Sequence, residues 1–420
     1  MAPSNDLFAR ICARLDSWKD EMIALQEELT PIQALAPESQ GQGEWARARM
    51  LREKLQGWGL NDIHEHSAPD ARVPEGSRPN LIAMLRGKKP RPSVWVMAHM
   101  DVVPAGDLTK WSTDPWKAVV KEGKIYGRGT EDNQQGLVSA AFALRALHAE
   151  GIQPPHDVGV ILVADEETGS HYGIDHVLEA APDLVHPEDL VVVPDAGAAD
   201  GSMLEVAEKS ILWVEFLVKG KQVHGSMPDL GINAHRAAAH LTVRLDQALN
   251  GTFTGRDEVF DPPRSTFEPT RHDANVPNVN TIPGEERLFF DCRVLPDVPL
   301  DSVNAVISRI AQEIEREFRV KIEISSPQTA PAAPATKSDA PVVLALGRAI
   351  KAVRGVDAKP MGIGGGTVAA LFRHKGIPAV VWSTLNELAH QPNEYCVIEN
   401  MVEDAKVFAH LFIGGGNDRA

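Results

Sequence analysis

Residues 5–30 place Leu7, Ile11, Leu15, Trp18, Met22 and Leu25 at intervals of three and four, which predicts an amphipathic helix packed on a core. Short apolar runs follow, each bounded by polar or Gly/Pro punctuation: LIAML at 81–85, VWVMA at 94–98, VGVILVA at 158–164 and LVVV at 190–193. Short runs without alternation read as strands buried on both faces. Between the second and third, NQQGLVSAAFALRALHAEG (133–151) sets Leu137, Ala141, Leu144 and Leu147 on one face and stops at Gly151. Strand, helix and strand therefore alternate, as in a parallel α/β architecture.

From about Ile211 the texture changes. ILWVEFLVKG, RLFFDCRVLP and VKIEIS, with helical stretches at 233–249 and 300–318 between them, predict a separate α+β domain over 210–325. The segment SSPQTAPAAPATKSD (325–339) has no periodicity and suits a linker leading into a helix at 341–354. After it the α/β texture resumes at AVVWST. The expected organisation is one catalytic domain in two sequence halves, 1–209 and 326–420, interrupted by an inserted domain.

Composition narrows the partners. With 420 residues, 43% hydrophobic and 24% charged, the chain is ordinary globular material able to bury a sizeable core. Its formal charge of -16 offers no broad basic surface, so neither nucleic acid nor an anionic membrane surface is an expected partner. No apolar run approaches the roughly 18 to 20 residues of a membrane span, and the first thirty residues carry acids throughout, so no signal peptide is expected. Cys12, Cys292 and Cys396 are far apart and form no CxxC, which points away from disulfides and towards a reducing cytoplasm.

The chemistry lies where the apolar runs end. VWVMA leads into His99-Met100-Asp101, VGVILVA into Asp165-Glu166-Glu167, LVVV into Pro194-Asp195, and AVVWST is followed within a few residues by Asn386, Glu387 and His390. Carboxyl ends of parallel strands share one edge, and ligands bind there. Asp132, after a Gly-rich turn and before a helix, adds a fifth group. Taken singly, Asp132 can be a helix cap, His99 a satisfied buried histidine and Asp195 a turn former. Adjacent acids after a buried strand, however, are costly without a counter-charge. Two histidines with three or four carboxylates and no cysteine suit zinc, cobalt or manganese better than calcium or magnesium. With one bridging carboxylate, this set can hold two divalent ions and leave a bridging water as nucleophile.

These stretches, HMD with VVPAGD, W-x-x-x-P-W leading to GRGTEDNQQG, DEETGS, PDAG and HQPNEY, resemble the di-zinc amidohydrolases and peptidases. That family includes succinyl-diaminopimelate desuccinylase, acetylornithine deacetylase, the aminoacylases, carboxypeptidase G and the carnosine-type dipeptidases. The likeness spans essentially the whole chain. It implies a zinc-peptidase-like three-layer αβα catalytic domain with an inserted ferredoxin-like α+β domain serving as lid and dimerisation surface. It makes Asp132 the bridging ligand, Glu167 and His390 the rest of one metal site, and His99 and Asp195 the rest of the other. Glu166 becomes the general base and acid, and Asp101 the carboxylate that orients His99.

By the same resemblance, His224 in GKQVHGSMP reaches the partner subunit's active site to stabilise the oxyanion. Asn280 and Arg293 in NTIPGEERLFFDCRVLP bind substrate near its carbonyl and carboxylate, and the fork of Arg suits a carboxylate. The run GIGGGTVAALF (362–372) lacks the Lys of a P-loop. It looks instead like the family's Gly-Gly-Thr turn, in which amides of Gly365, Gly366 and Thr367 hold the substrate carboxylate.

The expected protein is a cytoplasmic homodimeric hydrolase with two divalent ions, zinc first and cobalt or manganese as alternatives, acting on the amide bond of a dipeptide or N-acyl amino acid with a free carboxylate. The position of Asp195 is Glu in many of the family's deacylases and Asp in its dipeptidase and aminopeptidase branches, which favours peptides over the deacylase alternative. An inactive binding relative is expected to have lost Glu166 or a ligand, and every such position is filled. A hydrolase of carbamoyl or amidine bonds has no need of His390, and a purely structural site closes its shell without a spare carboxylate.

Overall fold

The apolar runs become strands of one eight-stranded mixed sheet. Its order is Ile63–Glu65, Leu81–Leu85, His156–Val163, Lys89–His99, Leu190–Val193, Ala379–Val381, Met203–Glu208 and Lys359–Ile363. The computed structural model describes residues 5–414. Within it the chain divides into two units: one of residues up to Val206, Thr336–Pro360 and residues from Thr367 onward, the other of Ala207–Ala335 and Met361–Gly366.

In the first unit the four strands His156–Val163, Lys89–His99, Leu190–Val193 and Ala379–Val381 run parallel, so their carboxyl ends point to one edge. Both faces of the sheet are covered. Trp95, Met97, Ile161, Val163, Val191 and Val193 pack with Val177 and Phe372 from the helices Ile174–Ala180 and Ala369–His374. The intervening Val94, Val96, Val158 and Val160 are equally buried, and helices Gln134–Ala149 and Ile398–Gly414 pack on that side. This three-layer arrangement explains why the runs show no alternation. Each such fully buried side chain contributes roughly 1.5–3 kcal/mol, which fixes the strand ends as a rigid base for the loops they carry.

One strand departs from the parallel set, and one local expectation is corrected. Leu81–Leu85 runs antiparallel to His156–Val163. Only residues 86–88 separate it from Lys89–His99, far short of the dozen or more a parallel crossover needs. The predicted helix over 5–30 is two helices, Asn5–Ser17 and Lys19–Leu29, because Trp18 leaves helical geometry at φ -100 and ψ 10. Its ring there packs edge-on to Phe142 and under the Arg145 guanidinium, 3.9 Å from the ring centre.

The second unit is a four-stranded antiparallel sheet in the order Thr266–His272, Glu285–Val294, Ser210–Lys219 and Lys321–Ala330. Helices Ala234–Thr252 and Leu300–Phe318 complete a βαββαβ chain order, the ferredoxin-like arrangement. Leu212, Val214, Phe216 and Val218 alternate into the core, where they meet Leu241, Leu245, Ile307 and Ile314. Trp213 points the other way and is exposed. The expected linker at 325–339 is strand as far as Ala330. This is an edge strand whose residues beyond Ile324 are mostly exposed, so Ser, Gln and Thr are tolerated and no apolar alternation marks it.

Candidate metal centre

His99 ends its strand almost fully buried, and its two ring nitrogens face different partners. Nδ1 lies 3.1 Å from the Asp101 carbonyl and 3.4 Å from its carboxylate. Nε2 lies 3.0 Å from Asp132 Oδ1, 3.3 Å from Asp195 Oδ1 and 4.0 Å from Glu166 Oε2. An acceptor on Nδ1 fixes the tautomer that leaves Nε2 free to ligate. Asp101 also acts on the backbone, because its two carboxylate oxygens accept the amides of Glu166 and Glu167, each at 3.1 Å. One side chain thus ties the His99 strand end to the short turn Glu166–Thr168.

Asp132 does not cap the helix that begins at Gln134, where Asn133 holds the cap position. Its oxygens face the two histidines instead: Oδ1 towards His99 and Oδ2 towards His390 Nε2 at 3.4 Å. His390 Nε2 also lies 2.9 Å from Glu167 Oε2. Two groups result, His99 with Asp132 and Asp195, and His390 with Asp132 and Glu167, each with ligand atoms within 4.8 Å of one another. Asp132 is common to both. Asp195 is held by Asn133, whose Nδ2 donates to it at 2.9 Å and to the Pro194 carbonyl at 2.6 Å.

The electrostatics ask for added positive charge. Burial pushes Glu166 well above the usual carboxylate range, and the neighbouring charge of Asp195 adds to it against the opposing pull of His99. Glu167 is raised to about 7 by burial and by Asp132. Burial works to lower His99, but its carboxylate partners Asp101, Asp132 and Asp195 win and hold it well above its ordinary value. Contacts with Asp132 and Glu167 raise His390 to about 10. Glu167 Oε1 is buried with no hydrogen-bond partner, which fits a donor atom for a cation. The donor set of imidazole nitrogens and carboxylate oxygens suits divalent ions of the zinc, cobalt and manganese kind. The residues present fit a pair of such ions.

The other expected site residues lie in the second unit, except for Thr367. His224 pairs with Thr281 across the strands Val223–His224 and Thr281–Ile282, and its Nδ1 lies 2.8 Å from Ser226 Oγ. Asn280 is its neighbour there, its carbonyl accepting from Gly225 at 2.6 Å. Arg293 directs Nε and Nη2 to the Asp291 carboxylate at 2.7 and 3.0 Å, and Nη1 to the Gly364 carbonyl at 2.8 Å. Arg293 thus sits beside the glycine run, although its fork is engaged by Asp291. A side chain added at Gly364 or Gly365 would meet open space, so the crowding that requires glycine is absent at those two positions. Thr367, in the first unit, lies just ahead of the short helix Ala369–His374 and accepts the Ala369 amide at 3.3 Å.

Sequence reasoning passed over three buried residues beside the candidate ligands: Asn133 behind Asp195, Glu131 next to Asp132, and Glu394 four residues after His390. The one signal was an acid in a Gly/Thr-rich turn (GRGTEDN) and another just after HQPN.

Two imidazoles, one buried and one exposed, and three carboxylates, of which Asp132 is common to both groups, at the carboxyl edge of an αβα sheet with a spare acid beside them, mark a metallohydrolase. Residues 95–413 match the model of peptidase family M20/M25/M40, and the chain belongs to that family. It is 39% identical over 412 residues to an uncharacterised metallohydrolase of Methanococcus maripaludis, covering 93% of this chain and 98% of that one. It is 28% identical to a succinyl-diaminopimelate desuccinylase of Wolbachia pipientis, over 77% of this chain and 78% of that one. Among solved structures, human carnosine dipeptidase 1 matches with a TM-score of 0.73 at 19% identity, over 98% of this chain and 99% of that one. The di-peptidase Dug1p of Saccharomyces cerevisiae matches with a TM-score of 0.74 at 16% identity over 100% of both chains. The chain is therefore a metallohydrolase of the peptidase and deacylase kind.

Proposed function

We propose that this chain is a two-metal dipeptidase: it hydrolyses the amide bond of a small substrate bearing a free carboxylate. The observation that carries the reading is Asp132, one oxygen towards His99 and the other towards His390, with Glu166 beside these ligands and outside both groups. In it His99, Asp132 and Asp195 hold one ion and His390, Asp132 and Glu167 the other, with zinc the proposed ion. When bound, such a pair polarises the scissile carbonyl and acidifies the attacking water.

Glu166 accepts the proton of that water and returns it to the departing amide nitrogen. Burial and the charge of Asp195 raise its proton affinity above that of an ordinary carboxylate, the direction that suits a group taking up a proton. Asp101 keeps His99 in its ligating tautomer and holds the Glu166 backbone in place. His224 as oxyanion donor, and Asn280, Arg293 and the Gly365, Gly366 and Thr367 turn as substrate contacts, belong to this proposal on the strength of their motifs. For Arg293, taking a substrate carboxylate means exchanging Asp291. A cytoplasmic homodimer completes the reading; its supports are the unpaired cysteines and the motif resemblance. Among the described residues, no helix is long and apolar enough to cross a membrane.

A specific observation favours a second reading, deacylation of N-acyl amino acids: the similarity to desuccinylases covers three quarters of the chain. Amine release from dipeptides, measured beside N-acetyl and N-succinyl derivatives of the same amino acids, separates the two. Preference for dipeptides with a free α-amino group supports the proposal. Preference for the acylated series discards the argument from Asp195 and makes the chain a deacylase.

A further inference from the structure

Two of the loops carrying candidate ligands are locked to each other by a pair of buried carboxylates that accept backbone amides across the gap. Glu131, immediately before Asp132, is 1% exposed. Its Oε1 accepts the Asn386 amide and its Oε2 the Leu388 amide, each at 2.6 Å. Those amides belong to the loop that delivers His390. Glu394, four residues beyond His390 and fully buried, makes the return connection. Its Oε1 accepts the amides of Glu131 and Asp132 at 3.0 and 3.1 Å, and its Oε2 accepts the Gly129 amide at 3.0 Å and Arg128 Nη1 at 2.6 Å.

The His390 loop has reason to need such a hold. Glu387, His390 and Asn393 have φ of 57, 64 and 62, left-handed values that non-glycine residues adopt rarely and keep only where surrounding contacts over-determine them. His390 is itself the most exposed of the ligands, so packing does little to fix its ring. Asn393 is tied at the far end, accepting from Ser112 N and donating to the Lys110 carbonyl. Glu131 supplies the restraint at the near end.

We propose that Glu131 is a positioning residue for the second metal site: by fixing the backbone of residues 386–388 it aims His390 at Asp132 and Glu167. The inference rests on the reading that these three residues hold an ion. A carboxylate suits this role because it accepts two amides on separate oxygens, whereas a carboxamide of the same shape offers one acceptor oxygen and turns a donor towards the second amide.

The test is Zn2+ titration of the full chain after chelator stripping, followed by calorimetry without substrate. Glu131→Gln is expected to leave one ion bound with unchanged affinity and to weaken the other roughly 10- to 100-fold, the usual cost of losing a residue that orients a ligand. Glu131→Asp, which keeps both acceptor oxygens on a shorter arm, is expected to fall between Glu131→Gln and the unmodified chain. In a His390→Ala background, Glu131→Gln is expected to change the remaining affinity by less than about twofold, because the residue through which it acts is gone.

An isotherm unchanged by Glu131→Gln, equal weakening of both ions, or a full effect in the His390→Ala background overturns the proposal. If the variants do not fold, hydrogen exchange on the unmodified metal-free protein decides: protected amides at Asn386 and Leu388 support it, and free exchange there refutes it. Because no substrate enters the titration, failure to hydrolyse any amide defeats the proposed function and leaves this inference standing. An unmodified chain that binds only one ion defeats both.

Discussion

Replacing Glu166 by Gln separates a proton carrier from a metal ligand. Glu166 stands 4.0 Å from His99 Nε2, while Asp132 and Asp195 stand at 3.0 and 3.3 Å, and it belongs to neither ligand group. The substitution keeps the shape and removes the basic oxygen. The neighbouring carboxylates are committed elsewhere: both oxygens of Asp101 accept the Glu166 and Glu167 amides, Asp195 is held by Asn133 facing His99, and Glu167 directs Oε2 at His390. Loss of a positioned acid–base group costs about 10²- to 10⁴-fold in turnover, roughly 3–5 kcal/mol of barrier, and without a substitute the upper half of that range is expected. The assay is kcat on the best substrate of the amide panel, with metal content of the same sample by elemental analysis. Two ions retained and turnover lost fit the reasoning. Loss of an ion, or turnover within tenfold of the unmodified enzyme, refutes it.

Other perturbations probe other parts of the structure. Asp132→Ala removes the ligand shared by both groups, so bound zinc is expected to fall by more than one ion per chain, read by elemental analysis after dialysis. Arg78→Leu strips a fully buried guanidinium from Glu44 and Asp165 and leaves two carboxylates uncompensated; about 3–5 kcal/mol of stability is expected to disappear in urea unfolding. Phe216→Ala opens the core of the second unit and is expected to cost about 3–5 kcal/mol, measured the same way. Hydrogen bonds from Arg10 and Arg14 hold Glu150 below its ordinary carboxylate range. Its folded value is depressed, so its contribution is complete above the unfolded value and disappears as pH falls through the folded one. Glu150→Gln should therefore lower stability at neutral pH and shrink the loss on acidification.

Much of this candidate site is legible in the sequence because His99, Glu167 and Asp195 follow closely on apolar runs, Asp132 lies just ahead of a helix and His390 lies a few residues past another run. His99, Glu166 and Glu167, and Asp195 follow strands buried on both faces, and parallel strands deliver their ends to one edge. What holds the ligands is far less legible. Glu131 meets the amides of residues 386 and 388, and Glu394 those of 129, 131 and 132, more than 250 positions away in sequence. Backbone amides carry no residue signature, so no spacing rule announces such contacts. The fold shows the same division. Core strands stand out by composition, while the edge strand through Ala330 does not, because solvent on one side removes the need for apolar side chains. The break at Trp18 depends on Phe142 and Arg145, which no local pattern supplies.

The most direct test of the central claim is anomalous scattering at the zinc edge from crystals of the zinc-loaded protein. Two peaks are predicted, one contacted by His99, Asp132 and Asp195 and the other by His390, Asp132 and Glu167, with Glu166 contacting neither. A single peak, or a peak ligated by Glu166, contradicts the two-metal reading.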